Sequence, residues 1–584
     1  MNKALVLFAL GACMTLSAAA QAGKETAQQQ FQRDSDAYFD QVYFPYQPTT
    51  GTIDGYHQYD TKLDDYSRAA IDAEVAALND FEKRVSAIPP ASLDQTTRGD
   101  RQMVLNAIHS RLLNLQTIRL WAKDADNYSS ACASAAFTLM ERKFAPADDR
   151  LRSLIAREKQ MPGLIAEART NLENPPRIFT EIAIEQLPGI IGFFQHDVPL
   201  AFADAQDAAL TSEFAQTNAA VISALTDYLS WLKTDLLPRS NGDFRIGAEA
   251  FSKKLKYDEM VDLPLPRLLE IGYADMRRNQ QHFAEVAHEL EPNKTPREVL
   301  EDLGHQHPAP DQLLDAFRAT FTSLLDFIRA HHIVTIPSDV RPVLEETPPF
   351  MRATTQASMD SPGPYETRAT TSYFNVTLPD PSMTPAQVEG YMHSFNIGTV
   401  VSTSVHEAYP GHYVQYLYSH RAPSRVRKIL SANTNIEGWA HYTEQMMLDN
   451  GYGQPGTGAK DEREARFLRL GQLQDALLRN ARFIVGIQMH TGNMTYDQAV
   501  EFFQKEGYQP KETAAVEAKR GAGDPTYLYY TLGKLEIMKL RADLMKKQGA
   551  AFSLQEFHDE FLSQGFPPIK IIREALLGDD SPTL

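Results

Sequence analysis

Apolar residues recur at spacings of three and four along most of the first half of the chain. Leu105, Ile108, Leu112, Leu115 and Ile118 form one such series, and Phe214, Val221 and Leu225 form another within residues 210–232. That period puts the apolar side chains on one face of a 3.6-residue helix. Pro89-Pro90, Pro175-Pro176 and Pro238 punctuate the run as helix breakers. Residues 24–330 therefore read as helix after helix, without the fixed-length repeat of a solenoid.

The pattern changes near residue 335. Residues 336–385 are rich in Pro, Thr and Ser, and short β-prone pieces such as 371–376 stand between turn residues. Helical patterning resumes near Pro385, with Thr384 as N-cap. Residues 451–458 read as a loop, and Gly521 to Pro525 as a turn before a helix starting near Thr526. The expected fold is mainly α: a large multi-helical protein with a small β-sheet beside the helix that carries the candidate chemistry. The division is 1–22 as a signal peptide, 23–334 as an N-terminal helical region and 335–584 as a catalytic region. The two regions pack either as separate units or as one intertwined body.

The first 22 residues read as an export signal. Lys3 precedes an apolar and small-residue run, and Ala20-Gln21-Ala22 fits a cleavage site. The run is too short and too interrupted for a spanning helix. A periplasmic or secreted protein follows, with Leu10-Gly11-Ala12-Cys13 offering the alternative of a lipoprotein anchored through Cys13. The other cysteine, Cys132, lies between alanines and reads as a small core residue. At 43% hydrophobic and 23% charged, the chain has a globular composition. Its net charge of −18 argues against nucleic acid, which needs a basic footprint. Beyond the signal no segment reads as membrane-spanning, and nothing in the pattern sets an oligomeric state.

The candidate chemistry lies in His406-Glu407-Ala408-Tyr409-Pro410-Gly411-His412, followed by Glu437-Gly438-Trp439-Ala440. Two histidines and a later carboxylate suit one Zn²⁺ ion that keeps a position for water. Histidines six apart are rotated by about 240° on a regular helix, so their rings would diverge. Pro410-Gly411 resolves this by predicting a kink that returns His412 to His406. Glu437 is the third ligand. Glu437, His441 and Glu444 share a helical face, so His441 or Glu444 can orient a ligand from behind. Glu407 is the general base on the attacking water. His305 and His307 hint at a second metal site, but no carboxylate pattern completes it and a polar loop is the expectation. Phosphate-binding glycine loops and serine-hydrolase elbows are absent.

These motifs, with Tyr527 to Leu535 (YLYYTLGKL), resemble the bacterial "domain of unknown function 885" family over most of the chain. The resemblance implies a gluzincin-like zinc metallopeptidase with His406, His412 and Glu437 on the metal and Glu407 as base. It also implies that Asn375 lies on a strand lining the substrate backbone, and that Arg482 and His490 share a recurring helix. Tyr530 and His490 are candidate donors to a developing oxyanion, and Arg520 and Arg541 can grip a substrate's terminal carboxylate. The expected function is hydrolysis of oligopeptides. The alternatives are a hydrolase of non-peptide amides or esters, and a periplasmic binding protein with a vestigial site.

Overall fold

The computed structural model describes residues 25–348, 351–352 and 355–584. The expected signal segment, with Cys13 and the bond after Ala22, lies outside the described residues. Helix makes up 71% and strand 3%, so the protein is mainly α with a small sheet. The Leu105 series lies in helix Gln95–Leu113 and the π-helical turn Asn114–Ile118 that extends it. Phe214, Val221 and Leu225 are buried on helix Ala208–Trp231. They join an apolar core drawn from residues 63–236, which contains Cys132. Burial pushes that thiol up to about 12, so it behaves as a small apolar side chain.

Other cores draw on distant segments. One packs Phe179, Met276 and Phe283 against Leu470, Ile484 and Tyr530. Another packs Phe31, Phe81 and Trp121 against Val426, Ile429 and Ile571. Buried ion pairs bridge distant segments as well. Arg427 Nε lies 2.7 Å from Asp100 Oδ1, and Lys534 Nζ lies 3.3 Å from Asp275 Oδ2. Breaking such a pair on one side costs roughly 3–5 kcal/mol, because it strands the other charge.

The sheet has three strands, β1 (Val343–Glu346), β2 (Ala357–Asp360) and β3 (Tyr373–Val376), in the order β1-β3-β2. β3 runs parallel to β1 and antiparallel to β2. Side chains alternate across β3. Phe374 and Val376 enter a core in which Phe374 meets Phe317 and Phe321 at 5.4 and 6.1 Å between ring centroids. Asn375 therefore faces the other way, between Glu345 and Ser358. β2 packs on helix Ile397–Glu407.

Thr384 caps helix Pro385–Met392 in a capping box with Gln387. Two local expectations differ. The 451–458 loop contains strand Gln454–Pro455, which pairs with Gly458–Ala459. The turn expected at 521–525 lies three positions later, at 524–528, since helix Lys511–Gly523 runs through Gly521 and the next helix starts at Tyr529. Helix formation stops at Asp524 (φ −111, ψ 86), where the following Pro525 disfavours helical dihedrals.

Candidate metal centre

Helix Ile397–Glu407 opens at Asn396, whose side-chain oxygen accepts the N–H groups of Gly398 and Thr399 at 3.0 Å each. Its Thr399 to Thr403 stretch is β-prone but sits in packed surroundings that override propensity. Gly398 meets Gly471 of the long helix Glu462–His490 so closely that a Cβ on Gly398 would lie 2.8 Å from the Gly471 Cα. The helix ends at Glu407. Ala408 and Tyr409 both donate to Ser404 O, and Gly411 donates back to Val405 O at 2.9 Å. A new helix, His412–Tyr418, then begins. The expected kinked helix is thus two helices joined by a tight reversal. A Cβ on Gly411 would stand 1.8 Å from His406 O, so the reversal needs glycine. Trp439 Nε1–H donates to Pro410 O at 3.0 Å and ties the reversal to helix Asn433–Asp449.

That helix carries Glu437. It packs on helix Tyr529–Gln548 through Gly438 and Gly533, whose backbones leave no room for a Cβ. The reversal brings the His406 and His412 rings to 4.8 Å between centroids at 86°. Glu437 Oε2 lies 3.3 Å from His406 Nε2 and 3.4 Å from His412 Nε2. It has no partner in hydrogen-bond geometry. Nitrogen and oxygen ligands about 2.0–2.1 Å from a tetrahedral zinc ion stand roughly 3.3–3.4 Å apart. Both separations from Glu437 match that spacing, and the ligand atoms of His406, His412 and Glu437 all lie within 4.8 Å of one another, a set that could hold one small divalent ion.

Behind the triad, Glu444 Oε1 accepts from His406 Nδ1 at 2.7 Å, and Glu444 Oε2 contacts His441 Nδ1 at 3.1 Å. Arg479 Nη2 adds an ion pair to Glu444 Oε1 at 3.0 Å. Burial opposes charge on Glu444, but Arg479 and His441 hold its carboxyl well below the usual range. Burial also opposes protonation of His406, yet the Glu437 and Glu444 carboxylates raise it to about 9. Glu437 is held well below the carboxylate range against its burial by the two imidazoles. Burial pushes His441 down to about 3. Sequence reasoning missed Arg479; the signal available was its position one turn before Arg482 on a helix of the same motif set.

The remaining candidates divide. Glu407 is buried with its Oε2 unpartnered. Tyr530 is buried, 6.4 Å from the His406 ring and near-parallel to it, and accepts from Arg520 Nη2 at 3.1 Å. Arg482 and Arg520 lie over the Tyr530 ring at 4.9 and 5.8 Å. Arg482 is itself paired with Glu517 through two hydrogen bonds of 2.6 and 2.7 Å. Asn375 is 1% exposed, and neither its amide oxygen nor its nitrogen has a protein partner. Tyr416, one turn beyond His412 and also missed, has its ring 6.3 Å from that of His412 between centroids, and burial raises its hydroxyl, with the Glu437 and Glu407 carboxylates adding to the rise.

Two candidates do not join this group. His490 Nε2 donates to Gly521 O at 2.8 Å and its Nδ1 faces Ile246 N at 3.4 Å, so both ring nitrogens are engaged. It stands eleven positions beyond Arg479, about 16 Å along the helix, and lines a different cavity of about 210 Å³ with Phe244, Lys254 and Asp524. Arg541 is likewise eleven positions beyond Tyr530 and donates to the Tyr442 hydroxyl at 3.2 Å. In both cases the residue shares a helix with the site but sits too far along it.

No helix among the described residues is long and apolar enough to cross a membrane. No curated protein matches the chain. Two solved structures share its fold, both described as "putative lipoprotein". The one from Shewanella oneidensis, of unknown function, is 27% identical, with a TM-score of 0.77 over 94% of this chain and 99% of that one. The one from Colwellia psychrerythraea is 18% identical, with a TM-score of 0.78 over 94% and 98%. A family model matches residues 48–576, and the chain belongs to that family, the bacterial proteins of unknown function called DUF885.

Proposed function

We propose that this protein is an exported zinc-dependent metallopeptidase acting on oligopeptides. The observation that carries the reading is the convergence of His406 Nε2 and His412 Nε2 on Glu437 Oε2 at 3.3 and 3.4 Å, with the Glu407 carboxylate adjoining His406 in sequence. A zinc ion held by His406, His412 and Glu437 supplies Lewis acidity, lowering the pKa of a water and polarising a carbonyl. Glu407 takes the proton of the attacking water at its unpartnered oxygen and passes it to the leaving amine. Glu444 fixes His406 so that Nε2 presents its lone pair. Tyr530, whose oxygen already accepts from Arg520, keeps its O–H free to donate to the oxyanion, and Tyr416 is a second donor. Arg520, for which no ion pair is found among the described residues, is placed to receive a peptide's terminal carboxylate. The Asn375 amide, unpartnered on its strand, suits the substrate backbone.

Export with lipidation at Cys13, rather than cleavage after Ala22, is favoured by the description of the Shewanella relative. The test of the activity is a peptide-library digest read by mass spectrometry, with metal content measured on the same sample. Glu407→Gln should keep zinc and lose turnover by about 10²–10⁴-fold. Full turnover in that variant, or an ester or non-peptide amide as the sole substrate, sinks the peptidase reading.

A further inference from the structure

The loop after helix Pro296–Gly304 and the turn before the His406 helix form a second cluster of imidazoles. His305 Nδ1, His393 Nε2 and Glu389 Oε1 stand 3.2, 3.2 and 3.5 Å apart in the three pairs. His307 Nε2 adds a fourth atom, 3.4 Å from the same carboxylate oxygen. Glu389, from helix Pro385–Met392, adds a carboxylate from a distant segment, while Glu301, one turn before His305, lies 3.8 Å from that ring's Nε2. The close approach of the two segments is built in: a Cβ on Gly304 would meet His393 Nδ1 at 2.9 Å.

We propose that His393 and Glu389, joined by His305 or by His307 as the third ligand, form a second site for a borderline divalent transition-metal ion such as Zn²⁺. The spacings are again those of tetrahedral ligands about 2.0–2.1 Å from one ion. The orientation of His307 supports the assignment. Its Nδ1 contacts Pro308 O at 2.8 Å, and the donor in that contact is the imidazole N–H, since a carbonyl can only accept. In the neutral ring this leaves a lone pair on Nε2, aimed at the Glu389 carboxylate. A lone pair facing a carboxylate is repulsive unless a proton or a metal ion lies between them, and a backbone carbonyl fixing the far nitrogen is the usual arrangement behind a metal-ligating histidine. The site is also open to entry, with the His305 and Glu389 side chains 52% and 51% exposed.

The position gives the ion a consequence. Gln306, between the two loop histidines, accepts from Ile397 N at 2.8 Å. Ile397 is the first residue of the helix whose last turn carries His406, about 13 Å away along its axis. An ion here staples the loop to the start of that helix and stabilises its register without sharing a ligand with the triad. The assignment does not depend on the hydrolase reading.

The experiment titrates Zn²⁺ into tag-free, metal-stripped protein and counts bound equivalents. Two are expected for the unaltered chain, one for His305→Ala/His393→Ala, and one for His406→Ala/His412→Ala. In this last, triad-free background, Zn²⁺ should raise Tm, and adding Glu389→Gln should weaken the remaining binding by about tenfold or more. Glu389 is half exposed, so its replacement leaves the fold intact. If the triad-free protein binds no zinc, or binds it equally well after His305→Ala/His393→Ala, the second site does not exist.

Discussion

His406 Nδ1 lies 2.7 Å from Glu444 Oε1, a carboxylate that also pairs with Arg479 and touches His441 while remaining wholly buried. Glu444 thus meets the back of the metal-facing imidazole at one oxygen and a neutral histidine at the other. A buried carboxylate of this kind sets the tautomer and direction of the ring rather than reacting.

Glu444→Gln should therefore act on metal affinity. The amide can still accept a hydrogen bond from His406 but no longer balances Arg479. Zinc affinity, measured by competition with a chelator, should fall about 10–100-fold. Unchanged affinity would remove Glu444 from the site's support.

Tyr530→Phe deletes one hydroxyl and leaves the ring packing. If that hydroxyl donates to the oxyanion, kcat should drop by about 100-fold with KM and zinc content nearly unchanged. The same change at Tyr416 tells which of the two hydroxyls is the stronger donor. A rise in KM alone at Tyr530 would make it a substrate-binding group instead.

Gly411→Ala tests the reversal. The added methyl group would lie 1.8 Å from the His406 carbonyl oxygen and 2.4 Å from that of Val405, both backbone atoms that cannot swing aside. His412 must then move off the triad. Zinc should be lost even though every ligand is present, and the urea midpoint should fall by the equivalent of roughly 1–3 kcal/mol, the usual cost of overpacking. Zinc retention at full stoichiometry would contradict the geometric role of this glycine.

Much of this centre was legible from local sequence. A spacing of six with Pro-Gly inside it predicts a kink that lets both imidazoles meet, though not that the kink is a full reversal between two helices, and Glu437 and Glu444 follow from one helical period. What the period cannot specify is which helices lie side by side. Arg479 and Glu444 meet from two different long helices, and Glu389 reaches His305 because Gly304 admits the His393 ring. These contacts join residues 35 and 84 positions apart, so no local pattern announces them. His490 lies apart from the centre for a related reason. Its helix spans 29 residues, about 43 Å at 1.5 Å per residue, and residues on one such helix can serve unrelated sites.

Stability should also fall on mild acidification through buried histidines outside the metal centre, His558 and His490. Burial pushes His558 down to about 3 and His490 down to about 4. His558 Nδ1 donates to Ile333 O at 2.7 Å and Nε2 accepts from the Tyr442 hydroxyl at 2.9 Å, a pairing that uses the neutral ring. In the unfolded chain each imidazole takes up a proton near its ordinary value of about 6.5, while the folded protein refuses it. The stability present above pH 6.5 is therefore withdrawn as pH falls towards 4, by up to about 1.4 kcal/mol per pH unit for each histidine. Urea midpoints of metal-free protein at pH 7 and pH 5 measure this drop. His558→Gln, which can still donate to Ile333 and accept from Tyr442 but cannot titrate, should lower stability at pH 7 yet flatten the acid slope by close to one proton. An unchanged slope in that variant would mean that His558 is not held neutral by the fold.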